Sequence, residues 1–319
     1  MVAHSDVALV TDKNYLLGLR VAIRSLLGHA GRPRPRVWVV CDESVNARER
    51  RRLESLDAAV RVVAVTNAHR QRLHTTAHYS HAMYLKFDLP TLLPELDQVL
   101  YLDADVLVTG DLSELWGLAL GDDYAAAVEE RGMGAKLTRY TRERLRLAGR
   151  YVNSGVLLLN LAALRRDDLP RRLAAFTAAR PWLSMPDQDA FNVLLAGRLR
   201  YLAPEFNYMT MYLDQPGYAL PAATVKIVHY ADWRKPWRAA TVPRGAEWRQ
   251  WLTRREWLRL LPGWLVPLLF YDKHSRLDEV SRTFKLLGAP LYTKWKNQTD
   301  WEARVLGLRV AGTRKMSLP

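Results

Sequence analysis

The chain has 319 residues, 49% of them hydrophobic, and a formal net charge of +14. This length and apolar fraction allow one large domain or two modest ones and exclude a disordered chain. The single cysteine excludes an internal disulfide and a cysteine metal site, and the positive charge suits a polyanionic partner such as nucleic acid, anionic lipid or an acidic glycan.

Up to about residue 240, short apolar runs alternate with helical patterns. Strands are predicted at 7–11, 37–41, 60–65, 98–102, 124–128, 155–160 and 225–230, and helices at 15–27, 46–56, after Leu161 and at 187–196. This order predicts an α/β fold with a largely parallel sheet. Cys41 ends an apolar strand and is expected to be a buried core thiol. No basic segment followed by a long apolar run precedes the first strand, so a cytoplasmic location is expected.

The last quarter of the chain differs in composition. From Gly245 to the end it has 14 Lys and Arg against 7 Asp and Glu. It also contains six of the eleven tryptophans, namely Trp248, Trp251, Trp257, Trp264, Trp295 and Trp301. Residues 257–271 are apolar but too short to span a bilayer. We therefore predict a basic, mainly helical extension over 245–319, which either lies on the anionic inner membrane surface or packs on the preceding domain.

Two aspartates follow the predicted strand at 98–102. Asp103 and Asp105 are separated by one residue, so in an extended segment both carboxylates point the same way and can approach one cation. An Asp-x-Asp pair alone is equally typical of a turn. The apolar strand that ends at the pair favours a ligand site, because ligands of open α/β sheets bind at the carboxyl ends of strands.

Two further segments carry polar residues suited to such a site. In VKIVHYADWRKPW (225–237) a strand ends near His229, whose imidazole could complete a carboxylate metal site, and Lys235 could hold a diphosphate. In MPDQDAFN (185–192) Asp187 is a helix N-cap candidate, and Gln188 offers an amide for a sugar hydroxyl. Each also has a structural interpretation, as a strand-end histidine, a solvated lysine and a helix cap.

Six segments, in this order, resemble one family. They are TDKNY (11–15), AMYLKFDLP (82–90), VLYLDADVLV (99–108), YVNSGVLLLNL (151–161), DQDAFN (187–192) and HYADWRKPW (229–237). The chain resembles the retaining glycosyltransferases of family eight, which include glycogenin and bacterial lipopolysaccharide galactosyl- and glucosyltransferases. The resemblance covers Val7 to Trp237.

The resemblance implies a single Rossmann-like GT-A domain over residues 1–244, with a mixed, mainly parallel sheet. It also implies transfer of glucose or galactose from a UDP-sugar to a glycan, lipid-linked or cell-surface polysaccharide acceptor, as in lipopolysaccharide or capsule synthesis. The implied metal is Mn²⁺, or Mg²⁺, held by Asp103, Asp105 and His229. No nucleic-acid partner is implied.

The resemblance also assigns residues to the donor. The implied donor contacts are Asp12 and Asn14 for uracil and ribose, Asn153 and Ser154 for the sugar pocket, Asp187 for the sugar, Gln188 beneath the anomeric carbon, and Lys235 for the diphosphate. Lys86, Asp103 and Ala104 are also implied to bind the donor. Gln188, Asp187 and Lys235 are the implied catalytic residues. An amide is a poor nucleophile, so we expect the acceptor to attack from the face that the diphosphate leaves, with a diphosphate oxygen taking the proton.

Three positions depart from the family pattern. Lys86 stands where many relatives have arginine, Asp232 where glycine is frequent, and the acid after the strand at 124–128 is Glu129 or Glu130 where aspartate is usual. Two other classes of protein fit parts of the sequence. A nucleotidyltransferase would need a glycine-rich loop, which TDKNYLLG does not provide, and a polyanion- or membrane-binding protein would leave the ordered acidic and histidine segments unexplained.

Overall fold

The computed structural model describes residues 5–66, 73, 75, 80–132 and 134–269 and, beyond them, five strands between residues 272 and 313, with side chains described up to residue 261. The chain forms two compact units, Met1–Trp233 and Arg234–Pro319. The boundary predicted from composition, at residue 244, falls inside the second unit.

The first unit alternates strands and helices. Its strands are β1 (Asp6–Thr11), β2 (Arg36–Cys41), β3 (Val60–Ala64), β4 (Gln98–Leu102), β5 (Val106–Val108), β6 (Ala125–Glu129), β7 (Val152–Asn160), β8 (Leu199–Leu202), β9 (Tyr208–Met209) and β10 (Ile227–His229). Its helices are α1 (Leu16–His29), α2 (Ala47–Glu54), α3 (Leu89–Leu92), α4 (Ser113–Trp116), α5 (Ala135–Glu143), α6 (Leu161–Arg166), α7 (Leu169–Ala178) and α8 (Pro186–Leu194), and a 3₁₀ segment covers His81–Asp88.

Seven of these strands form the main sheet, in the order β3-β2-β1-β4-β7-β6-β8. Neighbours from β3 to β4 pair in parallel, as do β6 and β8, while β7 is antiparallel to β4 and to β6. The sheet is therefore mixed and mainly parallel, as the GT-A expectation requires. A smaller sheet, β5-β10-β9, pairs His229 with Val106.

Alternation along the strands builds two apolar layers on the main sheet. On β1, Val7 and Leu9 belong to one buried cluster and Ala8 and Val10 to the other. Full burial of such a side chain contributes about 1.5–3 kcal/mol, so the two layers supply most of the driving force that holds the sheet. Cys41 is fully buried, and burial raises the pKa of its thiol to about 11, in agreement with the predicted core position.

The second unit begins with α9 (Gly245–Arg249) and α10 (Arg254–Leu269). An antiparallel sheet follows, with strands β11 (Asp272–Arg276), β12 (Glu279–Leu286), β13 (Ala289–Asn297), β14 (Trp301–Val305) and β15 (Leu308–Thr313) in that order. The prediction of a mainly helical extension is therefore wrong beyond Leu269. The reason is visible in the run EVSRTFKL (279–286), whose apolar residues Val280, Phe284 and Leu286 are separated by even numbers of positions, as on one face of a strand.

The tryptophans of the second unit do not share one environment. Trp248 is fully buried and packs beside Trp237 with ring centroids 5.8 Å apart, whereas Trp257 on α10 is exposed. The side chains of Trp264, Trp295 and Trp301 lie outside the described residues. Within the described part of the chain, no helix has the length and apolar character needed to cross a bilayer.

Candidate active site

Asp103, Asp105 and His229 form a compact cluster at one edge of the main sheet. One potential ligand atom from each lies within 4.8 Å of the others. The Nε2 atom of His229 is 3.3 Å from Oδ1 of Asp105 and 3.8 Å from Oδ2 of Asp103. The structure thus brings together the three residues that were predicted as metal ligands.

Backbone pairing places each member of this trio. Asp103 directly follows β4, and its N–H donates to the carbonyl of Gly155 on β7 (2.8 Å). Asp105 directly precedes β5, and its carbonyl accepts the N–H of Tyr230, the residue after β10 (3.1 Å). The turn between β4 and β5, which contains the buried Ala104, therefore faces the end of β10.

Gly155 provides the space into which His229 fits. A Cβ atom at this position would stand 2.2 Å from Cε1 of His229 and 2.8 Å from Oδ2 of Asp103, far inside van der Waals contact. The absence of a side chain here is therefore a condition for the close approach of imidazole and carboxylate.

We expect Gly155→Ala to displace His229 and weaken divalent-metal binding by about 10-fold or more, as misplacing a ligand does. Isothermal titration with Mn²⁺ measures the change. Gly117→Ala is the matched control, because a Cβ at Gly117 meets no atom within 4 Å and should leave the titration unchanged. Equal metal affinity in Gly155→Ala and the unaltered chain would contradict the expectation.

Lys86 lies beneath the acidic cluster and is almost completely buried. Its Nζ atom is 2.8 Å from Oδ2 of Asp187 and 3.3 Å from Oδ1 of Asp103. Burial by itself would lower the pKa of this ammonium, but the carboxylates of Asp103 and Asp187 outweigh burial and raise the pKa above its usual value. Lys86 is thus a lasting positive charge that joins the cluster of Asp103, Asp105 and His229 to helix α8.

Tyr101 adds a hydroxyl to the same carboxylate. Its hydroxyl donates to Oδ1 of Asp103, and Lys86 Nζ lies 4.8 Å from its ring centroid. Burial, followed by the negative charge of Asp103, raises the pKa of Tyr101 well above its usual value, so the phenol keeps its proton and stays a donor. Sequence reasoning missed this residue, which in QVLYL reads as core, although its position two residues before Asp103 places both on one face of the strand.

The N-terminal turn of α8 presents Asp187 and Gln188 to the site. Oδ2 of Asp187 accepts the Ser154 hydroxyl (3.1 Å), and Oε1 of Gln188 accepts the Ser154 N–H (3.0 Å). Ser154 and Asn153 lie within β7, which begins at Val152 and thus earlier than predicted.

The predicted N-cap role of Asp187 is wrong. Helix α8 begins at Pro186, with Met185 at the N-cap position. Proline is favoured at the first helical position because it has no N–H to satisfy, and the Met185 N–H is satisfied by the carboxylate of Asp189 (3.1 Å). Asp187 is therefore left free of capping and can face the site.

Glu130, and not Glu129, is the acid at the site. Glu130 is buried and its Oε2 accepts a hydrogen bond from Nδ2 of Asn153 (2.9 Å), while Glu129 is partly exposed and lies 3.6 Å from Arg150. A register shift in the pairing of β6 with β7, between Ala127 and Glu129, interrupts the alternation of side chains there. This bulge explains why the sequence left the two acids unresolved.

Asn207 is a second residue that sequence reasoning missed. It is buried, and its Oδ1 lies 2.9 Å from Nδ1 of His229. The segment PEFNY gives no local signal for this role, because a strand-flanking asparagine is common. Its partner lies 22 residues further along the chain.

Asp12 and Asn14 line a separate part of the same sheet edge. They border a cavity of about 310 Å³ together with Lys13, Asp42, Glu43, Ser44, Ser80 and His81. Oδ1 of Asp12 accepts the N–H of Asn14 (2.7 Å). Asp12 follows β1 and Asp42 follows β2, so the cavity lies at the carboxyl ends of parallel strands, where ligands of such sheets bind.

The remaining predicted residues lie after β10. Asp232 is half-buried in the loop of the first unit that follows this strand. Lys235 belongs to the second unit and is buried, and its carbonyl accepts the N–H groups of Arg238 and Ala239. Its assignment to a diphosphate stays a prediction.

The potential ligand atoms of Asp103, Asp105 and His229 fit a divalent cation. Two carboxylates and one imidazole suit Mn²⁺, and Mg²⁺ less well, because the nitrogen ligand favours a transition ion. The contact between Nδ1 of His229 and Asn207 leaves Nε2 directed at the two aspartates. Gly155 leaves space for His229 beside Asp103. The ligand types, the orientation of His229 and this space all fit a metal ion.

Comparison with known proteins gives a consistent result. The family model described as "Glycosyl transferase family 8" matches residues 6–241. The chain is 29% identical over 247 residues to the lipopolysaccharide 1,2-glucosyltransferase of Escherichia coli strain K12, covering 73% of this chain and 72% of the relative. It is 27% identical over 257 residues to the lipopolysaccharide 1,3-galactosyltransferase of Salmonella typhimurium strain LT2, covering 74% of this chain and 75% of the relative.

Among solved structures, the galactosyltransferase LgtC in complex with donor and acceptor sugar analogs is similar in fold. The TM-score is 0.68 at 25% sequence identity, and the match covers 80% of this chain and 99% of LgtC. The similarity to a GT-A-like transferase therefore extends over nearly the whole of that neighbour.

Proposed function

Because the chain belongs to glycosyl transferase family 8, we propose that this glycosyltransferase moves a glucosyl or galactosyl residue from a UDP-hexose to a glycan acceptor with retention of configuration. The observation that carries the proposal is the Asp103–Asp105–His229 cluster, joined through Lys86 to the Asp187–Gln188 turn. The relatives that act on lipopolysaccharide support a hexose donor and an acceptor of bacterial surface glycan or its lipid-linked precursor.

In this proposal, Asp103, Asp105 and His229 hold a divalent ion, preferably Mn²⁺. A metal ion bound there supplies positive charge that stabilises the departing diphosphate. Asp12 and Asn14 border the cavity that suits the uracil and ribose, and Asn153 and Ser154 line the sugar pocket. Lys235 is assigned to the diphosphate on its sequence motif alone.

The hydrogen bonds of α8 favour attack of the acceptor from the face that the diphosphate leaves. Oε1 of Gln188 is engaged by the Ser154 N–H, which makes an already weak amide nucleophile weaker. Oδ2 of Asp187 receives both Lys86 and the Ser154 hydroxyl, so its negative charge is compensated. Neither side chain is arranged as an activated nucleophile. Both are held in positions from which they can bind the sugar.

A panel of nucleotide sugars tests this function directly. The expected result is Mn²⁺-dependent release of UDP from UDP-glucose or UDP-galactose, and an α-linked product when a suitable glycan acceptor is supplied, as read by NMR coupling of the anomeric proton. A β-linked product would contradict retention. Formation of sugar nucleotide from sugar phosphate would instead identify a nucleotidyltransferase, and nucleic-acid binding without turnover a polyanion-binding protein.

An anionic acceptor is supported by charge close to the site. Residues 135–150, which include α5, contain six basic residues and one acid. Tyr140 on α5 donates to Asp189 of α8 (2.6 Å), and the guanidinium of Arg144 stacks 4.7 Å from the ring centroid of the exposed Trp182. An arginine on an exposed aromatic ring suits a phosphate- or carboxylate-bearing sugar. Comparing phosphorylated and neutral forms of one glycan as acceptors tests this step.

We also propose that the second unit attaches the enzyme to the inner surface of a membrane, with the site on the cytoplasmic side. On α10, Trp257 and Leu258 are 41% and 53% exposed, and Arg254, Arg255 and Arg259 are close in sequence. Exposed aromatic and aliphatic side chains beside arginines are typical of interfacial helices.

The full-length double substitution Trp257→Ser and Leu258→Ser is expected to weaken binding to phosphatidylglycerol vesicles by about 10-fold or more, because it removes two exposed apolar side chains that enter the membrane interface in this proposal. Vesicle sedimentation measures it. Trp182→Ser, which removes an equally exposed tryptophan from the first unit, is the control and should bind as the unaltered chain does. Identical binding by the double variant would contradict membrane attachment through α10.

A further inference from the structure

A continuous chain of buried side chains leads from Glu130 to the metal trio. Nδ2 of Asn153 donates to Oε2 of Glu130, and Nδ2 of Asn207 donates to Oδ1 of Asn153, both over 2.9 Å. Oδ1 of Asn207 then lies 2.9 Å from Nδ1 of His229. All four residues are buried, and Asn207 is only 1% exposed. Water therefore does not compete for these bonds.

The backbone of Gly155 fixes which atoms donate and which accept in this series of hydrogen bonds. The backbone N–H of Gly155, which can only donate, also points at Oδ1 of Asn153 (2.9 Å). The Asn153 oxygen must therefore face Gly155 and Asn207, and its NH₂ group must face Glu130. A carboxylate in that position accepts the hydrogen bond, so both neighbours of Asn153 require the same amide orientation.

The same logic carries forward to His229. The Asn207 NH₂ group is used on Asn153, so the Asn207 oxygen faces the imidazole. An amide oxygen can only accept, and Nδ1 of His229 must donate the proton. The proton of a neutral ring is then on Nδ1, and the lone pair is on Nε2, which faces Asp105 (3.3 Å).

We propose that Asn207 is a positioning residue of the metal site, which holds His229 in the tautomer that can bind a cation. This inference rests on the proposed metal role of Asp103, Asp105 and His229. Asn153, oriented by Gly155 and Glu130, holds the Asn207 amide in turn. The side-chain amides of Asn153, which is assigned to the sugar pocket, and of Asn207 thereby connect that pocket to His229. These three residues are far apart in sequence.

The test substitutes Asn207 in the full chain and measures the Mn²⁺ dissociation constant by electron paramagnetic resonance of free Mn²⁺. Asn207→Leu keeps the volume but removes the acceptor, and the constant is expected to rise about 10- to 100-fold, as it does when a metal ligand loses its orienting partner. Asn207→Asp keeps an acceptor for Nδ1 of His229 but loses the donor to Asn153, so it should restore part of the affinity that Asn207→Leu loses. A merely structural role for Asn207 does not predict this recovery.

Asn192→Leu is the matched control, because Asn192 is an equally buried amide that bonds the backbone of Val152 and Gln188 and not His229. It should lower stability without changing Mn²⁺ affinity. The proposal is overturned if Asn207→Leu binds Mn²⁺ as tightly as the unaltered chain, or if Asn192→Leu weakens binding equally.

Two further measurements separate the possible failures. Asp105→Asn, which alters a proposed metal ligand, serves as the reference. If Asp105→Asn loses Mn²⁺ affinity and Asn207→Leu does not, only the positioning role of Asn207 is refuted. If neither variant loses Mn²⁺ affinity, the proposed metal site itself is refuted. If Asn207→Leu does not fold, nitrogen NMR of His229 in the unaltered, metal-free protein decides. A neutral ring protonated on Nδ1 supports the proposal, and one protonated on Nε2 overturns it.

Discussion

Asp105→Asn is expected to lower metal-dependent UDP release from a UDP-hexose by about 10³-fold or more. The substitution keeps the shape of the side chain but removes the charge that faces His229 Nε2 at 3.3 Å. A metal acting as Lewis acid stabilises the charge of a transition state by several kcal/mol, and each 1.36 kcal/mol is about tenfold in rate. Initial rates at saturating Mn²⁺ and at fixed donor concentration measure the effect.

Asp97→Asn is the matched control for this experiment. Asp97 lies just before the same strand, β4, but its side chain is 91% exposed and its partner is an arginine 3.5 Å away. We expect its rate and Mn²⁺ requirement to equal those of the unaltered chain. If Asp105→Asn retains Mn²⁺-dependent release at a comparable rate, the assignment of the trio to the metal is wrong.

Lys86→Met is expected to lower the free energy of unfolding by about 3–5 kcal/mol in the absence of metal. The substitution leaves the carboxylates of Asp103 and Asp187 without the buried ammonium that now lies 3.3 and 2.8 Å from them. Removing one partner of a buried ion pair carries a penalty of this size because the remaining charge stays buried and uncompensated. Urea unfolding followed by circular dichroism measures the change.

Adding Mn²⁺ is expected to offset part of the stability that Lys86→Met loses. Without Lys86, Asp103 carries more uncompensated negative charge, so Mn²⁺ should raise the melting temperature more in Lys86→Met than in the unaltered chain. Lys86→Arg, which keeps the charge, should lose much less stability. Arg139→Met breaks a solvent-exposed pair with Glu143 and should show no measurable change. A smaller Mn²⁺ shift in Lys86→Met than in the unaltered chain would contradict the electrostatic account.

The contacts of Lys86 also bear on how the enzyme selects its sugar donor. A lysine offers a single charged point where arginine would offer a planar fork, and in this structure that point is shared by Asp103, Asp187 and the Ser154 carbonyl. Lys86 is thus committed to holding the acidic residues in place. A direct contact to the donor would have to displace one of these three partners.

The sequence by itself determined the family and six of the seven strands of the main sheet, all but β8, and it singled out Asp103, Asp105 and His229, which the structure brings together. These features follow from local signals, because an apolar run that ends in Asp103 and another that ends near His229 predict two strands and the carboxyl-end residues at which a ligand site forms. The order of six short segments then distinguished the family from other α/β folds. The helical pattern at 254–269 was also local and was predicted as part of the extension.

Only the tertiary structure decided which polar groups meet. Lys86 and Asp187 are 101 residues apart, and Asn153 and Asn207 are 54 apart, so no periodicity in the sequence pairs them. Glu130 could not be distinguished from Glu129 because a bulge interrupts the alternation on which such reasoning depends. The physical reason is general: burial of an apolar run depends on its own pattern, whereas a buried polar group must find its partner across the fold, and that partner is set by packing.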